Sequence, residues 1–333
     1  MNKTFRHISS AVLGIVVFLF WWLFYPYALS FQEQNQLFLF TWDYFSERIS
    51  LSGGLADYIA EFITQFSYIP YLGEALLAVV FVIFQKAIAL SIDRDEWYVL
   101  SFVAPVMMLV YMSDIYVMLS YLVALIAAVL LCALYRRHPG IIGAGIATVL
   151  GYWLIGPAIF VFTLFAVIRE RNCKSLILIA LSVIVVVASR LTYLQQYPWK
   201  TVIFGINYYR LPITVPVMQL IIAGVAALIP SFADLLPKPR RIVDISLGLL
   251  ILTGGIAGCW LNYEKDVVEI IAYDQLVRRE DWDGLLERAE KYQPDSELGS
   301  VSVNLALFMS GRGNELPRFK QFGTRGLILP NIR

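Results

Sequence analysis

Apolar residues in this chain run in long blocks separated by short polar joints. Ile8–Leu29, Tyr71–Ser91, Trp97–Met112, Ile115–Tyr135, Lys174–Leu191, Ile213–Leu236 and Ile242–Leu261 are each mostly apolar. A water-facing surface cannot be built from such runs. A bilayer accepts them when each closes its own backbone hydrogen bonds as a helix of roughly 20 residues. The pattern therefore predicts an all-α fold, a polytopic transmembrane helical bundle. Gly140–Ile168 is apolar too, but is interrupted by Gly151, Gly156 and Pro157. Proline inside a helix removes a donor and clashes with the preceding turn, so two short crossings or a re-entrant hairpin are expected there. Counting two passes gives about nine spans.

The joints carry the charge. Taken alternately, one set holds Lys3, Arg6, Arg94, Arg136, Arg137, Arg169, Arg171, Lys174, Lys238, Arg240 and Arg241, eleven cations, and the other only Arg48, Arg190, Lys200 and Arg210. Cations mark the cytoplasmic side, which puts the N-terminus inside and the segment after the last span outside. The first block runs on through Phe20, Trp21, Trp22, Phe24 and Tyr27 with no small-residue cleavage site. It reads as an uncleaved span rather than a signal peptide.

The outer loop Ser30–Pro70 is not a plain linker. Phe38, Trp42, Phe45 and Ile49 recur at helical spacing, as do Leu55, Ile59, Phe62 and Phe66, with Asp57 and Glu61 on the face opposite the second set. The spacing predicts two amphipathic helices lying in the membrane interface, broken at Ser52–Gly54. A second outer loop, Thr192–Pro212, interleaves Tyr193, Tyr197, Trp199, Phe204, Tyr208 and Tyr209 with Lys200 and Arg210, a mixture suited to headgroup level.

After Leu261 the composition turns polar, dividing the chain into a membrane domain, 1–262, and an extracytoplasmic segment, 263–333. Val267, Ile270, Ile271, Tyr273, Leu276 and Val277 form one helical face and Leu285, Leu286 and Ala289 a second, ended by Pro294. Val301–Met309 makes a third run, stopped by Gly311. These resemble helix–turn–helix repeats of the tetratricopeptide type, which need about three copies to bury a continuous core. One and a half are present, and Leu327–Leu329 is apolar without a cap, so truncation or completion on a partner is expected.

Composition narrows the chemistry. Lys+Arg is 26 against 25 Asp+Glu, a net charge of +1, without the basic excess of a nucleic-acid binder. Cys132, Cys173 and Cys259 are scattered, and His7 and His138 sit on basic flanks. Neither a zinc centre nor a His-dependent triad is expected from so few ligands, nor any resident cofactor. No Walker or Rossmann fingerprint occurs. A chain of intramembrane acids, the usual mark of a coupled transporter, is absent as well.

Glu33 and Asp43 follow the first span on the outer side and are the candidate catalytic carboxylates. Arg190, Lys200 and Arg210 are candidate grips for a lipid phosphate, since charge-assisted bonds to phosphate are strong. The plainer readings make the acids solvated loop residues and Arg190 a snorkelling span end. Glu74, Gln85 and Lys86 lie in the second block, the two charged ones near its ends. Asp114 is expected to cap a helix, and Gly254 and Gly258 have the small-xxx-small spacing of a helix-packing face.

With Glu33 and Asp43 so placed in a long first outer loop, residues 8–70 resemble membrane glycosyltransferases of the GT-C class. The resemblance implies a base at headgroup level and a polyprenyl-phosphate-linked sugar as donor substrate. Gln34-Asn35-Gln36-Leu37-Phe38-Leu39-Phe40, Gly53-Gly54-Leu55-Ala56-Asp57-Tyr58-Ile59 and the Tyr263–Gly299 helices resemble an uncharacterised family of multi-pass Bacteroidota proteins. That resemblance implies an inner membrane and a periplasmic C-terminal region. Two readings follow: a GT-C-like transferase, or a non-catalytic envelope scaffold whose C-terminal helices recruit a protein partner. A transporter ranks third.

Overall fold

The computed structural model describes residues 3–25, 27–170, 172, 175–205 and 217–323, and every regular element among them is helical. Arg171, Cys173, Lys174, Tyr208, Tyr209, Arg210 and Leu327–Leu329 lie outside the described residues. The α-helices are α1 (Lys3–Phe24), α2 (Ala28–Gln34), α3 (Trp42–Ile49), α4 (Gly54–Thr64), α5 (Leu72–Ile92), α6 (Val103–Met112), α7 (Leu119–Arg137), α8 (Ile141–Ile155), α9 (Ile159–Glu170), α10 (Leu176–Thr192), α11 (Trp199–Phe204), α12 (Val217–Phe232), α13 (Arg241–Leu261), α14 (Lys265–Arg278), α15 (Trp282–Lys291) and α16 (Glu297–Met309). Among the described residues, seven stretches are long and apolar enough to cross a membrane: Thr4–Phe24, Leu72–Ile92, Asp95–Met112, Leu119–Arg137, Ile141–Glu170, Val217–Leu235 and Arg241–Leu261. α10 is apolar but spans 17 residues.

The chain forms two compact units, Met1–Phe20 with Gln32–Asn262, and Trp21–Phe31 with Tyr263–Arg333. In the first, the joints that carry the cationic excess meet at one end. Arg6 pairs with Asp95. The buried Arg136 guanidinium bonds Asp234 and the Ser91 carbonyl, and Arg169 reaches the same aspartate at 2.7 Å. Arg94 donates to the carbonyls of Ala233 and Leu236 at 2.8 and 2.7 Å, and the Trp97 indole to that of Pro237 at 3.1 Å. Arg136 and Arg169 flank the α8–α9 segment, so both of its termini lie at this end.

That segment is a helical hairpin. Gly156 turns with φ 65° and ψ −154° ahead of Pro157, and α9 folds back along α8, with the Thr148 and Thr163 hydroxyls 3.2 Å apart. At the far end of the unit, Gln32 bonds the carbonyls of Ile115 and Val117. Tyr121 donates to the Gln219 carbonyl at 2.6 Å, and Asn262 to that of Val110 at 3.0 Å. Asp114 accepts from the Tyr116 amide at 3.1 Å, closing a turn instead of capping a helix.

Gln85 is fully buried. Its amide accepts from Ser10 at 2.8 Å and donates to Ser101 at 2.6 Å, while Lys86 donates to Tyr98 at 3.0 Å. This satisfied network joins α1, α5 and the 3-10 turn Asp95–Phe102, where an unpaired polar group would be costly.

α13 buries no residue. Ile245, Leu249, Leu250, Leu252 and Ile256 are all exposed, as a lipid-facing helix requires. It packs on α6 through glycine, but not through the expected pair. A methyl at Gly255 would fall 2.6 Å from Val106 and one at Gly258 2.8 Å from Val110, whereas Gly254 faces open space. The Gly254/Gly258 reading is thus corrected to Gly255/Gly258. The chain holds several registers of small residues, and only the contact picks one out.

The second unit contains a three-helix C-terminal body. Tyr273, Leu276, Leu285, Leu286, Ala289, Val303, Ala306, Leu307 and Phe319 form its core. Asp281 caps α15 through the Gly284 amide and Ser296 caps α16 through that of Gly299, contacts of about 1 kcal/mol each. Arg288 grips Glu269 with two bonds of 2.8 and 3.0 Å. Within the same unit Tyr25 meets Tyr263 edge-on at 5.5 Å.

Candidate functional site

At the end of the first unit away from the cationic joints, α3 and α4 fold back on each other. Thr41 opens α3 by accepting from the Tyr44 amide at 3.3 Å. The break falls at Ser52–Gly54, as the spacing predicts: Gly53 has φ +88°, and a methyl at Gly54 would lie 1.7 Å from the Arg48 carbonyl oxygen. Only glycine lets the two helices approach this closely. Phe38 sits between them, its ring 5.6, 5.0 and 5.5 Å from those of Tyr44, Tyr58 and Phe62.

The polarity of α4 is the unexpected feature. Ile59 and Phe62 are exposed while Ala56, Ala60, Glu61 and Thr64 are buried. The helix packs against α7 and α8, so its acidic face turns into the protein and its apolar face outward. Leu37, Phe40 and Trp42 extend the outward apolar surface, at 70%, 84% and 77% exposure.

Beneath this cover Glu61 accepts from Arg48 at 2.8 Å (Nη2 to Oε1) and 3.0 Å (Nε to Oε2), and lies 2.5 Å from the Tyr44 hydroxyl. Arg48 also donates to the Tyr44 oxygen at 3.0 and 2.9 Å, and Tyr44 reaches the Leu37 carbonyl at 2.8 Å. Burial raises the Glu61 carboxyl, against the pull of Tyr44 and Arg48. Burial and the neighbouring carboxylate push the Tyr44 hydroxyl up to about 12. One turn earlier, partly buried Asp57 is bonded by Ser120 of α7. Desolvation and then the charge of Glu61 carry its carboxyl up to about 7, although Ser120 and Arg48 pull it down. A carboxyl tuned near neutrality can both take and give a proton at physiological pH.

The α3–α4 break and α11 both attach to the tip of the α8–α9 hairpin. Ser52 donates to the Tyr152 carbonyl at 2.7 Å and the Gly53 amide to that of Trp153 at 2.8 Å. The Trp153 indole donates to the Ile49 carbonyl at 2.8 Å, and the Tyr152 hydroxyl to that of Val202 at 2.8 Å.

The acids proposed from sequence lie elsewhere in the first loop. Glu33 is partly buried in the last turn of α2, and burial raises its carboxyl. Asp43 is exposed in the first turn of α3, where a carboxylate complements the helix dipole. Arg190 lies over the Trp199 ring at 5.6 Å and Lys200 is exposed; Arg210 is outside the described residues. The geometry brings together Tyr44, Arg48, Asp57, Glu61 and Ser120, which the sequence pattern does not mark as a site. The available signal was a pair of four-residue spacings, Tyr44/Arg48 and Asp57/Glu61, on neighbouring helices that are otherwise rich in aromatics. Among the described residues no group of three or more His, Cys, Asp or Glu could hold a metal ion.

No curated protein and no solved structure matches the chain. The family of unknown function DUF6057 matches it over residues 2–331, and the chain belongs to that family.

Proposed function

We propose that this chain is an inner-membrane protein of nine passes, N-terminus cytoplasmic and residues 263–333 periplasmic, which acts on a lipid-linked sugar as a GT-C-like transferase at its periplasmic face. The topology is supported by the convergence of Arg6, Arg94, Arg136 and Arg169 with their partners at one end, since cations stay on the side of synthesis. It is supported also by Asn262 closing α13 against Val110, at the opposite end of the α6 stretch from Arg94 and Asp95.

One observation carries the transferase reading. Asp57 and Glu61 turn inward under an outward apolar and aromatic surface, and Asp57 has a carboxyl near neutrality. Asp57 is the proposed acid–base group. Glu33 and Asp43 stand beside it as the alternatives, and Arg190 and Lys200 as further cations for the donor phosphate. In the native host, Asp57→Asn is expected to deplete an envelope glycan and accumulate its lipid-linked precursor, while the protein remains in the membrane. Unchanged glycans in Asp57→Asn, Glu33→Gln and Asp43→Asn alike would remove the enzyme.

A scaffold reading rests on α14–α16, which resemble one and a half tetratricopeptide-type repeats and leave Leu305, Phe308 and Met309 exposed on α16. It predicts that Phe308→Ser abolishes capture of a partner by the full-length protein while glycans stay intact in Asp57→Asn.

A further inference from the structure

We propose that Arg48 and Tyr44 form a clamp for the phosphate of a membrane-borne ester, and that Glu61 fills this clamp in the free protein as an internal stand-in for the ligand. The inference deepens the transferase reading and rests on it for the lipid nature of the substrate.

Three donors converge on one carboxylate: Nη2 and Nε of Arg48 at 2.8 and 3.0 Å, and the Tyr44 hydroxyl at 2.5 Å. A guanidinium fork of this kind matches two oxygens of a phosphate as well as it matches a carboxylate. The guanidinium is held over the Tyr44 ring at 4.9 Å, which fixes the fork before any ligand arrives. Access runs the right way for exchange. The Arg48 side chain keeps 29% of its surface exposed while that of Glu61 keeps 10%, so an incoming anion meets the cation first and the carboxylate lies behind it.

Tyr44 is suited to the exchange as well. It has one proton and two acceptors in reach, Glu61 and the Leu37 carbonyl at 2.8 Å, so its hydroxyl stays satisfied when Glu61 withdraws. The displaced carboxyl, already raised by burial, takes up a proton instead of remaining as a second bare charge beside Asp57. Leu37, Phe40 and Trp42, all exposed, set the clamp at the depth of lipid headgroups.

The test is binding without turnover. Full-length protein in nanodiscs of phosphatidylcholine is titrated with inorganic phosphate, and separately prepared with increasing phosphatidic acid, a phosphomonoester lipid; occupancy is read by native mass spectrometry. Glu61→Gln, which removes the competing charge and keeps the shape, is expected to bind phosphatidic acid at least tenfold tighter than the parent. Arg48→Lys and Tyr44→Phe placed in the Glu61→Gln background are expected to reverse that gain, by about tenfold and about threefold. Tightening for phosphatidic acid alone supports the clamp and assigns it a lipid phosphate. Tightening for both probes supports it and makes the phosphate group sufficient. Equal binding by parent and Glu61→Gln overturns the proposal, as does an Arg48→Lys double variant that binds as tightly as Glu61→Gln. Should Glu61→Gln not fold, Tyr44→Phe alone is read: threefold weaker binding supports the clamp, and unchanged binding overturns it. Tightened binding alongside unchanged glycans in Asp57→Asn would retain the clamp and discard the transferase.

Discussion

The two ends of the membrane unit solve opposite charge problems. At the cationic end Arg136 and Arg169 share Asp234, Asp93 stands 3.8 Å from Arg136 and Glu96 3.9 Å from Arg94. Backbone carbonyls take the remaining donors: Ser91 for Arg136, Ala233 and Leu236 for Arg94. At the loop-helix end two carboxylates, Asp57 and Glu61, share one arginine, Arg48. Carbonyls can satisfy extra cations but not extra carboxylates, so the second end is left with a proton to accommodate. The first arrangement fastens helices together. The second holds a group whose charge can change, which is what a chemical step needs.

This contrast can be broken at several points. The largest effect is expected from Arg136→Ala, which leaves Asp234 with Arg169 alone and frees the Ser91 carbonyl. Breaking a fully buried pair costs 3–5 kcal/mol, and since Asp234 keeps water the loss here is put at about 3 kcal/mol; thermal melting in detergent measures it. A melting midpoint equal to the parent's would show that the cationic end fastens nothing.

Gly54→Ala forces a methyl against the Arg48 carbonyl. Overpacking against backbone is expected to cost roughly 2–3 kcal/mol and to move Arg48 off Glu61, which the same melt and the phosphate titration would register together.

The third prediction concerns pH. Asp57 titrates near 7 in the folded protein against an ordinary 3.8, so the folded state holds the extra proton. Its stabilising contribution is full below about pH 4 and is lost as pH rises through about 7. Glu61 and Glu33, both raised by burial, carry the same sign. The melting midpoint of the parent should fall across this window. That of Asp57→Asn should fall less, leaving it on the order of 2 kcal/mol more stable at pH 8, with allowance for its partial exposure. A variant that tracks the parent at every pH would contradict the tuned carboxyl. The smallest effect separates neighbouring glycines: Gly255→Ala is expected to lose about 1 kcal/mol against Val106, while Gly254→Ala gains a few tenths from helix propensity.

Much of this architecture was legible in the sequence. The apolar blocks gave the helices, Gly156–Pro157 the hairpin, and alternate cation counts the end where Arg6, Arg94, Arg136 and Arg169 gather. The acid site was not, for a definite reason. The α4 pattern separates an acidic from an apolar face, but periodicity has no sign: it does not say which face meets protein. Water as solvent would turn Asp57 and Glu61 outward. With α4 packed on α7 and α8 beneath exposed Ile59 and Phe62, the same pattern is inverted. Nor could spacing reveal that Arg48, an isolated cation in an acidic loop, reaches across a helix break to Glu61. That contact depends on the close approach at Gly54.

The hairpin tip has a consequence for how such a site can diversify. In all four bonds that tether Ile49, Ser52, Gly53 and Val202 to Tyr152 and Trp153, the accepting atom is a main-chain oxygen. Ile49 and Val202 contribute a backbone oxygen alone and Gly53 a backbone amide, so exchanging the first two leaves the tethers in place. Ser52, Tyr152 and Trp153 donate through their side chains and must be kept. The loops can therefore drift in their outward residues while remaining moored to one rigid post.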